Sequence, residues 1–180
     1  GAPITRDYIQ AEGKAQQLGA RLMAIVAEGA KGRVSLSPTA EHEGAASEAE
    51  TLPSVGEARS TFLSGSTPTR AMITGGVCSA YGLSTWGHLF TGRQLAALTT
   101  FSDLVAEARA KVIEDIRDYP IPSPIPEEST PLHDGGTGAA AYADAVATYL
   151  AFGVSRTTNY SSSLCVWSSH PKDELAKQVF

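Results

Sequence analysis

The sequence predicts an α+β fold that is mainly α-helical, with an N-terminal β-hairpin and a long central helix packed against a second apolar helix. The long helix is predicted from apolar residues that recur three and four positions apart between residues 92 and 118. The second helix is predicted from an alanine-rich apolar stretch at residues 139–157. The hairpin is predicted from two short β-type runs that flank a turn containing glycine.

The composition limits the classes of function. The chain has 180 residues, 42% of them hydrophobic, which is enough for a domain with a core. Its 14 Lys and Arg against 19 Asp and Glu give a net charge of -5, which disfavours tight DNA binding by this chain alone. Cys78 and Cys165 form no CxxC pair, so we expect no metal cluster and a reduced, cytoplasmic protein. We expect no membrane partner and no export, because neither a long apolar run nor a signal-peptide pattern occurs.

The N-terminal segment predicts an arm followed by the hairpin. Gly13 and Gly19 are expected to interrupt any helix over residues 1–19, which we interpret as a connecting arm. Residues 21–28 and 33–37 are the two β-type runs, and the four residues between them form the turn.

A solvated helix is predicted at residues 39–52. This segment is rich in Ala and Glu and has few apolar anchors, and Pro38 suits its first turn. His42 lies between two glutamates but has no second histidine at helical spacing, so we interpret it as a surface residue.

Three regions follow from these patterns. Residues 1–52 hold the arm, the hairpin and the solvated helix. Residues 53–80 are rich in Ser, Thr, Gly and Pro and predict a loop-rich linker, with a short helix near 57–62 and a strand at 71–74. Residues 81–180 form the helical core, and we expect one compact domain. Because the chain has no initial methionine and stops within a pattern, we expect a fragment of a larger protein.

The long helix is predicted to begin with a capping box. The hydroxyl of Thr91 is expected to accept the backbone N–H of Gln94, while the Gln94 side chain returns to the N–H of Thr91. Phe90 and Leu95 occupy the positions of a hydrophobic staple. The helix spans roughly 40 Å. Its apolar face is predicted to consist of Leu95, Leu98, Phe101, Val105, Ala108, Val112 and Ile116.

Beyond the long helix, four prolines within residues 118–130 predict an extended crossing. The second helix has seven alanines, which let a neighbouring helix approach closely. Its apolar face is predicted to consist of Tyr142, Val146, Tyr149, Leu150 and Val154. A short apolar run follows at residues 164–167, and residues 171–180 predict a final amphipathic turn or two.

A glycine-rich segment before the second helix is a candidate phosphate loop. Gly135, Gly136 and Thr137 are the candidate residues, because backbone N–H groups at the start of a helix bind anions. The segment lacks the lysine of a P-loop and a preceding strand. A flexible segment that caps the helix is the alternative.

Four residues are candidates for nucleic-acid binding. Trp86 lies among glycines and can offer a stacking platform, or can be buried under the long helix. Arg93 lies in the first helical turn, where the helix dipole disfavours a cation, which indicates an acidic or phosphate partner. Arg156 and Asn159, at the end of the second apolar helix, complete the set.

No catalytic residue and no metal site is predicted. The patterns GxSxG and HExxH are absent, and no carboxylate and histidine constellation occurs. The isolated histidines are interpreted as polar loop residues: His88, His133 and His170.

The phrase YGLSTWGHLFTGRQLAALTTFSDLV (residues 81–105) resembles a family of bacterial and archaeal adenine-specific DNA methylases that carry a zinc ribbon. The phrases RLMAIVAEG, SPTAEHE, DGGTGAAAYADAVATYLAF and SSLCVW extend the resemblance over nearly the whole chain. The family implies a motif for S-adenosylmethionine, then zinc-ribbon cysteines, then a region similar to this one, then a catalytic Asp-Pro-Pro-Tyr. The chain departs from the family at Gly92, where proline is usual, and at His88, where aspartate is usual.

The resemblance implies a non-catalytic internal segment, for target recognition or scaffolding, of a DNA adenine methyltransferase. The chain has neither Asp-Pro-Pro-Tyr nor Phe-x-Gly-x-Gly, so we expect it to be inactive alone. S-adenosylmethionine and zinc are implied only for the parent protein. The expected partners are the rest of the parent and, weakly, DNA. A helical protein-interaction module is the alternative, and a small phosphate-binding enzyme has the least support.

Overall fold

The structure is a computed structural model, and it describes residues 4–69, 76–118, 126, 129–168, 170 and 175–177. The chain forms two compact units. The first unit comprises Gly1–Ala96 with Ser162–Leu164, and the second comprises Ala97–Ser161 with Cys165–Phe180. Among the described helices, none combines the length and the apolar character that crossing a membrane requires.

The described part of the first unit contains four short helices, one hairpin and the start of the long helix. Their bounds are α1 (Arg6–Lys14), β1 (Ile25–Gly29), β2 (Gly32–Leu36), α2 (Ala40–Glu48), α3 (Pro53–Glu57), α4 (Gly76–Ala80) and α5 (Gly92–Asp118). A 3-10 turn follows α2 at Ala49–Thr51, a π-helical turn follows α3 at Ala58–Phe62, and a second 3-10 turn lies at Trp86–Leu89. The bounds of α5 confirm the predicted long helix.

The predicted N-terminal hairpin is confirmed. β1 and β2 pair antiparallel, with Ile25 opposite Leu36 and Gly29 opposite Gly32. The connecting turn is therefore shorter than predicted, because both flanking glycines join the strands. Every residue of β2 is exposed.

α1 contradicts the expectation that Gly13 interrupts a helix. Thr5 caps α1 by accepting the N–H of Tyr8, and the helix continues through Gly13. A Cβ on Gly13 would collide with the carbonyl of Tyr81, and one on Gly82 would collide with the carbonyl of Gly13. The missing side chain therefore serves a close backbone contact, which offsets the low helix propensity of glycine.

α2 is solvated as predicted, because none of its residues is buried. The hydroxyl of Thr39 accepts the N–H of His42, and Nδ1 of His42 accepts the N–H of Thr39 at 3.2 Å. His42 thus acts as the second member of a capping box.

The segment predicted as a loop-rich linker supplies part of the core of the first unit. α3, the π-helical turn and α4 all lie within it. Val55 is fully buried and Ala58 is 4% exposed, alongside Leu89 and Leu95. The strand predicted at residues 71–74 lies outside the described residues.

The described part of the second unit contains most of α5, α6 (Ala139–Thr157), and the strands β3 (Val166–Ser168) and β4 (Leu175–Lys177). The bounds of α6 confirm the predicted second helix, and the two helices pack on each other through Arg109 of α5 and Asp144 of α6. Most of the proline-rich crossing lies outside the described residues.

A second hairpin replaces the predicted C-terminal amphipathic turn. β3 pairs antiparallel with β4, with Val166 opposite Lys177 and Ser168 opposite Leu175. The short apolar run at residues 164–167 forms most of β3. Only the pairing with β3 makes residues 175–177 a strand, and pairing leaves no periodic signal in so short a segment.

The predicted apolar face of α6 is wrong in part. The buried residues of α6 are four alanines, at positions 139, 140, 141 and 143. Tyr142, Tyr149 and Leu150 are exposed instead. The small side chains let α6 lie close to its neighbours, and the aromatic rings are left on the outside. On α5, the predicted face member Phe101 is also 48% exposed.

Candidate functional site

The start of α5 has half of the predicted capping box. The side-chain oxygen Oε1 of Gln94 accepts the N–H of Thr91 at 2.9 Å, as predicted. The hydroxyl of Thr91 is buried and has no hydrogen-bond partner, so the other half of the box is not formed. The prediction that Thr91 caps α5 with its hydroxyl is therefore wrong.

A carboxylate from a distant part of the chain serves the first turn instead. Glu50, in the 3-10 turn after α2, accepts the N–H of Gly92. Nη1 of Arg59 donates to Oε2 of Glu50 at 2.7 Å, and Nη2 of Arg59 reaches the carbonyl of Phe90 at 3.3 Å. We call Glu50 and Arg59 the α5 clamp, because together they hold both the first N–H of the helix and the chain that leads into it.

Electrostatics favour the ionised form of Glu50. The Arg59 guanidinium lowers the pKa of the Glu50 carboxyl below its ordinary value, and the N–H of Gly92 adds to the effect against partial burial. A carboxylate at the N-terminus of a helix also interacts favourably with the helix dipole. The place where an external anion would bind α5 is thus already occupied by a side chain of the protein.

The clamp explains the glycine at position 92. A Cβ at this position would lie 2.7 to 2.8 Å from atoms of Glu50. Proline, the usual residue in the family that the sequence resembles, would in addition remove the N–H that Glu50 accepts. Gly92 and Glu50 therefore form a matched pair.

Trp86 lies on a loop that is fixed by its backbone. Its N–H donates to the carbonyl of Gly65 at 3.0 Å, and the N–H of Gly87 donates to the carbonyl of Leu63 at 2.9 Å. The indole lies against Gly65, where a Cβ would come within 3.3 Å of the ring. Trp86 is nonetheless 41% exposed, so one part of the ring is packed and another part is open to a ligand.

His88 has a structural contact. Its Nδ1 accepts the N–H of Thr85 at 3.4 Å and lies 3.5 Å from the hydroxyl of Ser84. An aspartate, the usual residue in the family that the sequence resembles, could accept from the same N–H. The position therefore needs an acceptor rather than a particular acid.

The candidate cations differ in their surroundings. Arg93 and Arg156 are exposed, and the guanidinium of neither makes a hydrogen bond or ion pair with another described residue. Arg93 lies with Trp86 in the first unit, and Arg156 lies with Asn159 in the second. The N–H of Asn159 donates to the carbonyl of Arg156 at 3.2 Å, and its own carbonyl accepts the thiol of Cys165.

The N–H groups of the candidate phosphate loop are largely engaged. Those of Gly135 and Gly136 donate to the carbonyls of Leu132 and Pro131, at 3.0 and 3.1 Å. Gly135 has a positive φ of 81° and ends the 3-10 turn at Leu132–Asp134. The N–H of Ala139 donates to Pro126. These residues thus form a turn that leads into α6.

A second ion pair organises the start of α6. Oδ1 of Asp144 accepts Nε of Arg109 at 2.6 Å, and Oδ2 accepts the N–H of Leu132 at 2.9 Å. The Leu132 N–H, followed by the Arg109 guanidinium, lowers the pKa of the Asp144 carboxyl. One carboxylate thus ties together α5, α6 and the turn before α6.

Sequence reasoning missed both carboxylates. Glu50 is 42 positions from its partner Gly92, and nothing local to a glutamate-rich helix distinguishes it. Asp144 did leave a signal, since it is the only acidic residue of an otherwise apolar helix. A lone carboxylate in such a helix indicates a buried or half-buried cationic partner.

No group of three or more potential metal ligands occurs within the described ranges. Near the start of α5, the half-exposed ring of Trp86 can stack on a base and the exposed guanidinium of Arg93 can contact a phosphate. In comparisons with known proteins, no family model, no curated protein and no solved structure matches this chain.

Proposed function

We propose that this chain is a non-catalytic internal segment, for target recognition or scaffolding, of an S-adenosylmethionine-dependent DNA adenine methyltransferase. The choice of parent rests on the resemblance of residues 81–105 and of the other phrases to that methylase family. The segment contributes no residue to methyl transfer, because the cofactor and catalytic motifs of such enzymes lie elsewhere in the parent.

The observation that carries the proposal is the amount of apolar surface that the chain exposes. Ile4, Met23 and Phe62 are 75%, 84% and 74% exposed, and the strands β2 and β3 are largely open to solvent. Large apolar side chains that are this open to solvent are typical of a surface that another part of a protein covers. This surface is what a segment covered by the rest of a larger protein would present.

A helical protein-interaction module without a nucleic-acid role is the second candidate. The net charge of -5 favours it, since a chain with an excess of acidic residues is repelled by the DNA backbone. The exposed apolar surface fits either candidate, so DNA binding is what separates them.

Fluorescence anisotropy with a labelled duplex tests the recognition role. We expect a Kd of at best tens of micromolar at about 50 mM salt, weakening steeply as salt is added, because each phosphate contact releases counterions. Arg93→Ala should weaken binding further. Arg6→Ala, which removes an exposed arginine from α1, is the matched control and should have less effect.

Arg59 is not expected to contribute, because the α5 clamp already engages its guanidinium. Arg70 lies outside the described residues. Absence of binding at low salt, or binding insensitive to both salt and Arg93, would exclude recognition and leave scaffolding as the role.

A further inference from the structure

α6 carries an exposed aromatic stripe. Tyr142, Tyr149 and Phe152 are 51%, 78% and 66% exposed. Together with Ala145 and Arg156 they are spaced three, four, three and four residues apart, which is the heptad spacing of a helix that pairs with another helix. We call these five residues the α6 stripe. Its members share one face of a helix of 19 residues.

The charges of α6 leave the stripe nearly neutral. Asp144 and Arg156 are the only charged residues of the helix, and Asp144 is engaged by Arg109. Arg156, at the C-terminal end of the stripe, is therefore its one charge. A partner surface must offer apolar groups along the helix and a group that accepts a cation at one end.

A second copy of the α6 stripe, running antiparallel, offers both the apolar groups and the group that accepts a cation. With Tyr149 opposite its own counterpart, Tyr142 lies opposite Arg156 of the second copy, because each is seven residues from Tyr149. A guanidinium over a tyrosine ring is a favourable cation–π pair. The same register places Ala145 opposite Gly153 and Phe152 opposite Val146, so each Phe152 ring meets an apolar side chain of the second copy. A parallel pair would instead oppose Arg156 to itself.

We propose that the α6 stripe is a self-association surface, on which a second copy of this chain docks antiparallel around a two-fold axis at Tyr149. Such an interface is isologous, so each Tyr142 and Arg156 pair occurs twice. With about 200 Å² for each fully exposed aromatic side chain, the three rings offer roughly 400 Å² per copy. This is about half of the ~800 Å² per partner typical of a stable interface. The dimer is consequently weak, with a Kd on the order of 100 μM.

Sedimentation equilibrium of the 180-residue chain, from about 10 μM to about 1 mM, tests the proposal across this Kd. Tyr149→Arg places two like charges together at the two-fold axis and is expected to weaken association at least about tenfold. Phe62→Arg introduces the same charge at a similarly exposed aromatic of the first unit and is expected to leave association unchanged. Far-UV circular dichroism checks that each variant keeps its helix content.

A charge swap tests the antiparallel register. Tyr142→Arg alone opposes two arginines at each end and should weaken association, whereas adding Arg156→Tyr restores the cation–π pairs and should recover most of it. A chain that stays monomeric at about 1 mM, a dimer equally insensitive to Tyr149→Arg and Phe62→Arg, or a swap without recovery would each overturn the proposal. If the stripe is shielded only when the rest of the parent protein is added, the parent covers it and the proposal is wrong.

Discussion

At the residue scale, Glu50 shows how a distant side chain can replace a local cap. The N–H of Gly92 is one of the four N–H groups that an α-helix leaves without an internal partner, and Glu50 accepts it from 42 positions away. The hydroxyl of Thr91, which was expected to accept the N–H of Gln94, makes no hydrogen bond, whereas Glu50 does serve the first turn. The acceptor in the first turn is the Glu50 carboxylate, and a carboxylate accepts an N–H more strongly than a neutral hydroxyl does.

Glu50→Gln should lower stability by about 1 kcal/mol at neutral pH, because it removes the charge from a helix N-terminus and from the pair with Arg59. The folded-state pKa of Glu50 is lowered, so the unfolded chain binds more protons as pH falls. The contribution is therefore complete above the ordinary pKa of 4.5 and is lost as pH falls through the folded-state value. Urea midpoints of the two proteins should converge at low pH.

Glu48→Gln is the matched control for that prediction. Glu48 is exposed and lies two residues away at the end of α2. Its substitution should leave the urea midpoint within the error of the measurement at every pH. An equal loss for both variants would mean that the clamp contributes nothing specific.

Thr91→Ala separates the sequence-based prediction from the structure. A capping hydroxyl would cost about 0.5 to 2 kcal/mol when removed. Because the hydroxyl is buried without a partner, its removal should instead cost less than Gln94→Ala, which deletes the acceptor of the Thr91 N–H. The denaturant midpoints of the two variants test this expectation. A larger decrease of the midpoint for Thr91→Ala would show that the hydroxyl caps the helix.

Gly82 has a backbone that another residue would strain. Its φ is 81°, and a Cβ there would collide with the carbonyl of Gly13. Gly82→Ala should therefore destabilise the first unit by more than about 1 kcal/mol. Gly44→Ala, on the open face of α2, should instead stabilise by roughly 0.5 to 1 kcal/mol. Thermal melts measure the change in melting temperature of each variant. An unchanged melting temperature for Gly82→Ala would mean that the backbone of α1 does not lie against this turn.

At the element scale, the sequence predicted what is local and missed what is not. The bounds of α5 and α6 follow from periodicity and from stop signals such as the Tyr119-Pro120 pair, all of which lie within a few residues of the helix ends. β4 was missed because only its pairing with Val166–Ser168 makes it a strand. The outward face of α6 was missed because apolar spacing marks a face without saying whether that face is covered.

We call the ion pair of Asp144 with Arg109 and its hydrogen bond from the Leu132 N–H the Asp144 clip, and we expect it to act as a unit that joins three elements. Asp144→Ala removes the acceptor of both the Arg109 guanidinium and the Leu132 N–H, so it should lower the urea midpoint of the second unit. Adding Arg109→Ala should cost less in the Asp144→Ala background than in the wild type, since the pair is already broken. Asp103→Ala, an exposed carboxylate of α5, is the control. If the stability losses of Asp144→Ala and Arg109→Ala simply add in the double variant, Asp144 and Arg109 do not stabilise the fold as a pair.

At the scale of the whole molecule, the α5 clamp, the Asp144 clip and the tight Gly13 and Gly82 contact serve structure. Among the described residues, exposed apolar side chains, the ring of Trp86 and the guanidinium of Arg93 remain open to a partner. Such a surface supports docking and positioning. The ionisable groups with shifted pKa values, Glu50, Lys111 and Asp144, lie in ion pairs.

The proposed role therefore predicts that the chain does not bind the methyl donor by itself. Methylases hold S-adenosylmethionine on a glycine-bearing loop and hold the flipped base with a short motif that ends in an aromatic residue, and the sequence contains neither motif. Isothermal titration calorimetry of the 180-residue chain with S-adenosylmethionine should give no binding heat at concentrations near 100 μM, about those at which a micromolar site would saturate. The same titration with the parent protein should show binding and serves as the positive control. A micromolar site on the chain alone would show that it carries part of the catalytic machinery, and the assignment to a recognition or scaffolding segment would then be wrong.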